Sequence, residues 1–118
     1  MSTSTTAIQL RLRLKRGDQV VIGPGKIELL EAIAATGSIS AAARALGMSY
    51  RRAWLLVDEM NRGLVAPVVS ATSGGNRGGG TTLTPMACEV IDRYRSIEAA
   101  ALQAVAGDLG VLVDLIAK

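Results

Sequence analysis

The 118-residue sequence predicts a single domain that is mainly α with a small β component, an α+β fold. Three observations carry that expectation. Apolar residues recur at helical spacing through most of the chain from Pro24 onward. One stretch, residues 8–15, alternates strictly between apolar and polar side chains. A glycine-rich segment at 74–80 separates two short β-branched runs, the pattern of a hairpin.

Taken in order, residues 1–7 are Ser/Thr-rich and are expected to form a flexible terminus, followed by one domain over residues 8–118. Ile8-Gln-Leu-Arg-Leu-Arg-Leu-Lys15 reads as a half-buried strand with one apolar and one basic face. Gly17-Asp18 is a turn signal, and Val20–Ile22 suits a short returning strand. Pro24 is placed for the first turn of a helix over 24–36, where its missing N–H costs nothing. Ile27, Leu30 and Ala34, flanked by Leu29 and Ile33, form its apolar stripe, and Gly37 is a left-handed stop.

Ser38 and Ser40 offer N-cap hydroxyls for a short helix over 39–46 that turns Ile39, Ala42, Ala43 and Leu46 inward. Gly47 breaks it, and Ser49 caps a longer helix over 49–61 with Ala53, Val57 and Met60 on one face. Alanines at 41, 42, 43 and 45 suit two helices that cross closely, joined by a tight turn. Residues 67–84 read as a long hairpin, and Thr84-Pro85 starts the first of two C-terminal helices within 85–117. That first helix is expected to reach about Ala106, with Gly107 separating it from a second over 109–117. Helix, short helix, tight turn, longer helix, then a two-stranded wing is the element order of a winged helix-turn-helix.

Composition narrows the function. There is no histidine, which removes His-based acid–base chemistry, His-dependent nucleophile pairs and imidazole metal sites. Cys88 is the single cysteine, so no intramolecular disulfide or paired-cysteine metal site exists; it reads as a small buried hydrophobe. An enzyme is therefore a distant reading, and no catalytic, cofactor or metal residues are expected. No apolar signal-peptide core and no uninterrupted apolar span are visible, which points to the cytoplasm and away from membranes.

The formal charge of +3 is unevenly distributed. Residues 32–88 carry five arginines against Asp58 and Glu59, whereas residues 89–118 carry Arg93, Arg95 and Lys118 against five acids. A basic centre beside an acidic, apolar end suits a polyanion-facing surface next to a packing surface. Ser49, Tyr50, Arg51 and Arg52 fall on the first turn of the 49–61 helix, the end that enters the major groove in this fold. Arginine there forks onto guanine or neutralises a phosphate. Asn76, Arg77, Gly78 and Gly79 sit at the hairpin tip, where glycine lets backbone N–H groups approach phosphates. A nucleotide-binding loop fails on spacing, because Gly80 stands where such a loop needs lysine. Trp54 joins the candidate contacts, although its residue type more often serves a core edge. Arg11, Arg13 and Lys15 read as edge-strand charges that block aggregation rather than as DNA contacts.

The run Gly37-Ser-Ile-Ser-Ala-Ala-Ala-Arg-Ala-Leu-Gly-Met-Ser-Tyr-Arg-Arg-Ala-Trp54, with Glu59-Met-Asn, Thr72-Ser-Gly-Gly-Asn-Arg-Gly-Gly-Gly and Leu83-Thr-Pro, resembles the DNA-binding domain of the ModE family. These are molybdate-responsive transcriptional regulators; more distantly the run is similar to the LysR-type winged helix. The resemblance covers roughly residues 8–98 and implies DNA contacts from Ser38, Ser40, Ser49, Tyr50, Arg51, Arg52, Trp54, Asn76, Arg77, Gly78 and Gly79. Family members that bind molybdate do so through additional C-terminal domains, so no molybdate cofactor is expected within these 118 residues. Apolar residues of the C-terminal segment, among them Ile97, Leu112, Leu115 and Ile116, exceed what a compact domain covers. A homodimer on a palindromic operator is the expectation, most readily as a repressor of oxyanion-transport or molybdoenzyme genes. The alternatives are a winged helix used as a protein-interaction module or as heterodimer partner of a full-length regulator, and an oxyanion sensor with its pocket at a dimer interface.

Overall fold

The computed structural model describes residues 5–72 and 80–118. The order is β1 (Leu14–Arg16), β2 (Gln19–Ile22), α1 (Pro24–Thr36), α2 (Ile39–Ala45), α3 (Tyr50–Gly63), β3 (Val69–Thr72), β4 (Gly80–Leu83), α4 (Pro85–Ala104) and α5 (Ala106–Asp114). Two antiparallel two-stranded sheets, β1–β2 and β3–β4, stand apart from each other. This is the α+β winged helix-turn-helix expected from the element order.

The helix starts are set by short-range chemistry. Ser38 Oγ accepts the Ala41 N–H at 2.8 Å, Ser49 Oγ accepts that of Arg52 at 3.1 Å, and Thr84 Oγ1 accepts that of Ala87 at 3.3 Å. Each bond satisfies one of the amides that the first helical turn leaves free. Gly37 ends α1 at φ +76°, with its N–H bonded to Ile33 O at 2.8 Å, and Gly47 takes φ +70° in the turn before α3. A side chain at either position is strained, so glycine is required by the backbone.

One core joins Leu29, Leu30 and Ile33 of α1 to Ile39, Ala42 and Ala43 of α2 and to Ala53, Val57 and Met60 of α3, closed by Val68 and Ala87. The alanines let α2 cross its neighbours closely. A second, smaller cluster packs Ile22 and Ile27 against Tyr94 of α4. The Tyr94 hydroxyl donates to Leu12 O at 2.8 Å and holds the N-terminal segment against α4. Arg95 ties α4 to α1 through two bonds to the Glu31 carboxylate, 3.0 Å from Nε and 2.6 Å from Nη2, and bonds Glu98 at 2.6 Å.

Several expectations need correction. The strand read over 8–15 is only Leu14–Arg16, because residues 8–13 find no second strand; they run beside α1 and α4 instead. Ala34 and Leu46 are exposed, at the solvent edges of their apolar stripes. Cys88 is exposed rather than buried, since Ala87 takes the inward position in the first turns of α4. The α4–α5 break falls at Val105, not Gly107, which lies in the first turn of α5, where amides lack helical partners in any case. Among the described residues no single helix is long and apolar enough to cross a membrane; α4 and α5 reach that length only as a pair bent by 64°.

Candidate nucleic-acid interface

α3 buries Ala53, Val57 and Met60, and at 3.6 residues per turn this turns Arg51, Leu55 and Arg62 to the opposite crest. Trp54 and Asn61, seven residues apart, share one flank; Arg52 and Glu59 share the other. Each flank is occupied by a different hairpin. On the first, Asn61 Oδ1 accepts the Val68 N–H at 2.8 Å and fixes the strand that opens the wing. The wing pairs Val69 with Leu83 and Thr72 with Gly80, and Thr81 N–H reaches Gly37 O at 2.9 Å, holding β4 beside the start of α2. Asn76, Arg77, Gly78 and Gly79 lie outside the described residues.

On the second flank the β1–β2 hairpin rests on α3 and on the start of α1. A Cβ at Gly63 would stand 2.8 Å from Val21 Cγ1, and one at Gly23 would stand 3.0 Å from Val20 Cγ1. Both glycines therefore permit the close approach of β2. Lys26 locks the joint. It is only 6% exposed, pairs with Glu59 of α3 at 3.0 Å, and donates to Val20 O of β2. Nothing in the apolar pattern of α1 marks Lys26 as buried. The available signal was Glu59, an acid on a helix otherwise basic at its exposed start.

The start of α3 presents Tyr50 at 53% exposure, Trp54 at 45% and Leu55 at 52%, with Arg51 and Arg52 beside them. Trp54 is thus half-exposed rather than in the core, and Ala53 fills the inward position. Ser49, Tyr50, Arg51, Arg52 and Trp54 are all exposed at the start of α3. Ser38 and Ser40 sit at the start of α2, their hydroxyls 3.3 Å apart, with Ser38 engaged in capping. Leu55 and Arg44 were absent from the expected contact set, although the 3.6-residue period already places Leu55 on the crest with Arg51.

The electrostatics divide sharply. Among the described residues, Arg11, Arg13, Lys15, Arg16, Arg44, Arg51 and Arg52 have no carboxylate within ion-pairing distance. In α4, Arg93 pairs with Glu89 at 3.5 Å, and Arg95 with Glu31 and Glu98 at 2.6 Å each. Those contacts raise the Arg95 guanidinium further, chiefly through its hydrogen bond to Glu31, and hold the Glu31 carboxyl below the usual range. Positive charge is uncompensated on α2, at the start of α3 and on the β1–β2 hairpin, whereas Arg62 later in α3 is paired with Asp58 and the arginines of α4 are neutralised. Among the described residues no cluster of His, Cys, Asp or Glu is suited to a metal ion.

Residues 25–88 match the model of the bacterial regulatory helix-turn-helix proteins, lysR family. The chain belongs to that family. It is 53% identical over 78 residues to the molybdenum-pterin-binding protein MopB of Rhodobacter capsulatus, covering 66% of this chain and 29% of that protein. It is 36% identical over 95 residues to the molybdenum transport protein ModE of Azotobacter vinelandii, covering 80% of this chain and 35% of the relative. With the DNA-binding transcriptional dual regulator ModE of Escherichia coli (strain K12) the identity is 37% over 86 residues, 73% of this chain and 33% of the relative. The chain thus spans about a third of the length of these relatives. The ModE resemblance read from the 37–54 run and the wing agrees with these similarities.

Proposed function

We propose that the chain is the DNA-binding module of a cytoplasmic transcriptional regulator that recognises a palindromic operator as a homodimer. The carrying observation is the unpaired pair of cations at the start of α3, Arg51 and Arg52, on the helix that this fold inserts in the major groove, with a further unpaired arginine, Arg44, on α2. Arg51, on the crest, reads base edges with Tyr50; Ser38, Ser40 and Ser49 face the backbone, and Arg77 with the amides of Gly78 and Gly79 contacts phosphates from the wing. Asn76 and Trp54 complete the contact set. Similarity to regulators named for molybdenum transport supports genes of oxyanion transport or molybdoenzymes as targets. Repression requires only occupancy of the operator, which such a surface supplies.

The homodimer rests on exposed apolar side chains of α4 and α5: Ile97, Val111, Leu112, Leu115 and Ile116. A two-fold axis through that face would set two α3 helices against half-sites about 34–36 Å apart. Selection of bound fragments from random DNA tests the reading. A two-fold symmetric motif with that spacing is expected; recovery of no enriched sequence overturns it. The same apolar face supports a second reading, a winged helix that joins a different regulator subunit, and sequence-blind, salt-sensitive DNA binding would favour that reading.

A further inference from the structure

Beside α3, on the flank opposite the wing, lies an open cleft of about 590 Å3. Arg11 and Arg13 of the N-terminal segment line it together with Arg52 of α3 and with Gly25 and Lys26 of the α1 start. Arg13 lies close over the α1 start: a Cβ at Gly23 would stand 3.6 Å from its Cγ. The lining acids are Asp18 and Glu59, and Glu59 is already engaged by Lys26 at 3.0 Å. None of the three arginines has a carboxylate partner among the described residues. Three arginines without a carboxylate partner therefore line one open cleft, and Asp18 is its one lining acid without an ion pair among the described residues. Like charges held together this way favour an anion between them.

The position of the cleft selects the anion. A helix in the major groove has a phosphate strand along each side, and the groove is about 12 Å wide. On α3 the wing guards the Trp54 flank and the β1–β2 hairpin guards the Arg52 flank. We propose that this cleft is a second phosphate clamp: Arg11, Arg13 and Arg52 grip a backbone phosphate on the strand opposite the one the wing contacts. This rests on the DNA-binding reading above and assigns to the N-terminal arginines a role other than protection of a sheet edge. It divides α3 by flank, with Arg51 on bases and Arg52 on the backbone. The shared chemistry is that of a tetrahedral oxyanion, and a free one would satisfy the same guanidinium groups.

The test compares wild type, the double variant R11Q/R13Q, R52Q and R51A in DNA-binding titrations across salt concentrations. For the double variant the slope of log affinity against log salt is expected to fall by up to about 0.9, the contribution of the one phosphate contact the clamp supplies. Affinity should drop by the same factor on operator and random DNA, leaving their ratio unchanged, and R52Q should behave likewise. An unchanged slope, or a loss confined to operator DNA, overturns the clamp. Calorimetry of wild type with inorganic phosphate and with molybdate should give no saturable heat. Saturable binding that R11Q/R13Q abolishes would instead make the cleft a receptor for a free oxyanion and refute the assignment to DNA. Absence of any wild-type DNA binding would remove the functional reading itself, whereas wild-type binding with an unaltered variant slope removes only the clamp. All three arginines are exposed, so thermal melting of the variants should match wild type.

Discussion

Replacing Lys26 with Met should destabilise the domain by about 1–2 kcal/mol, a value built from opposing contributions. Lys26 is 6% exposed and joins three elements: its ammonium pairs with Glu59 of α3 at 3.0 Å and donates to Val20 O of β2. Breaking a fully buried ion pair costs about 3–5 kcal/mol. Glu59 is 43% exposed, so its carboxylate rehydrates when the lysine is lost, and that figure is an upper bound. What stays unsatisfied is the Val20 carbonyl, worth about 1–3 kcal/mol if no water reaches it. Methionine keeps the stem packing, and removing a cation from the first turn of α1 returns about 0.3–1 kcal/mol through the helix dipole. The net loss should lower Tm by about 4–8 °C in a domain of this size. Thermal melting followed by circular dichroism reads the shift, and a double-mutant cycle with Glu59→Gln reads the coupling. A K26M variant as stable as wild type, or no coupling to Glu59, would refute the view that this contact holds the hairpin to the helix-turn-helix.

Three further outcomes follow from individual contacts. Tyr94→Phe removes the 2.8 Å bond to Leu12 O and should cost about 1 kcal/mol, with faster amide exchange confined to the segment before β1. Glu31 is held below its ordinary value of 4.5 mainly by the hydrogen bonds from Arg95. A lowered folded pKa means that its contribution is complete above that value and disappears as pH falls through the folded pKa. Acid titration of Glu31→Gln should therefore show a shallower loss of stability below about pH 4.5, by roughly 1 kcal/mol or less because both partners are half-exposed. Trp54→Ala should leave Tm nearly unchanged and weaken DNA binding, as measured by fluorescence anisotropy; a large drop in Tm would return Trp54 to a structural role.

Much of this architecture is local chemistry and so was readable from residue order. Gly37 and Gly47 announce left-handed turns, Ser38, Ser49 and Thr84 announce helix starts, and the 3.6-residue period separates Ala53, Val57 and Met60 from Arg51. Contacts between distant segments were not readable in the same way. The alternation in residues 8–15 promised a strand, but a strand exists only where a partner exists, and β2 reaches no further than Leu14. Burial of Lys26 depends on Val20 and Glu59 converging from two other elements. Trp54 and Cys88 have types that favour burial, yet each sits next to an alanine, Ala53 or Ala87, that occupies the inward position. The candidate contacts on α3 were legible because they fall on the exposed positions of the first turns of one helix, whose period is set by its buried Ala53, Val57 and Met60. The cleft formed by Arg11, Arg13 and Arg52 was hidden because its members come together only when the N-terminal segment folds back on α1 and α3.

The central claim is that the first turn of α3 reads DNA sequence, and Arg51→Ala tests it most directly. Affinities of wild type and variant are measured for the selected operator and for random DNA at one salt concentration. Loss of a base-reading arginine should cost about 1–3 kcal/mol on the operator and reduce the ratio of specific to non-specific affinity by roughly 5- to 150-fold. An unchanged ratio, with both affinities falling together, would show that Arg51 contacts only the backbone and would contradict the account.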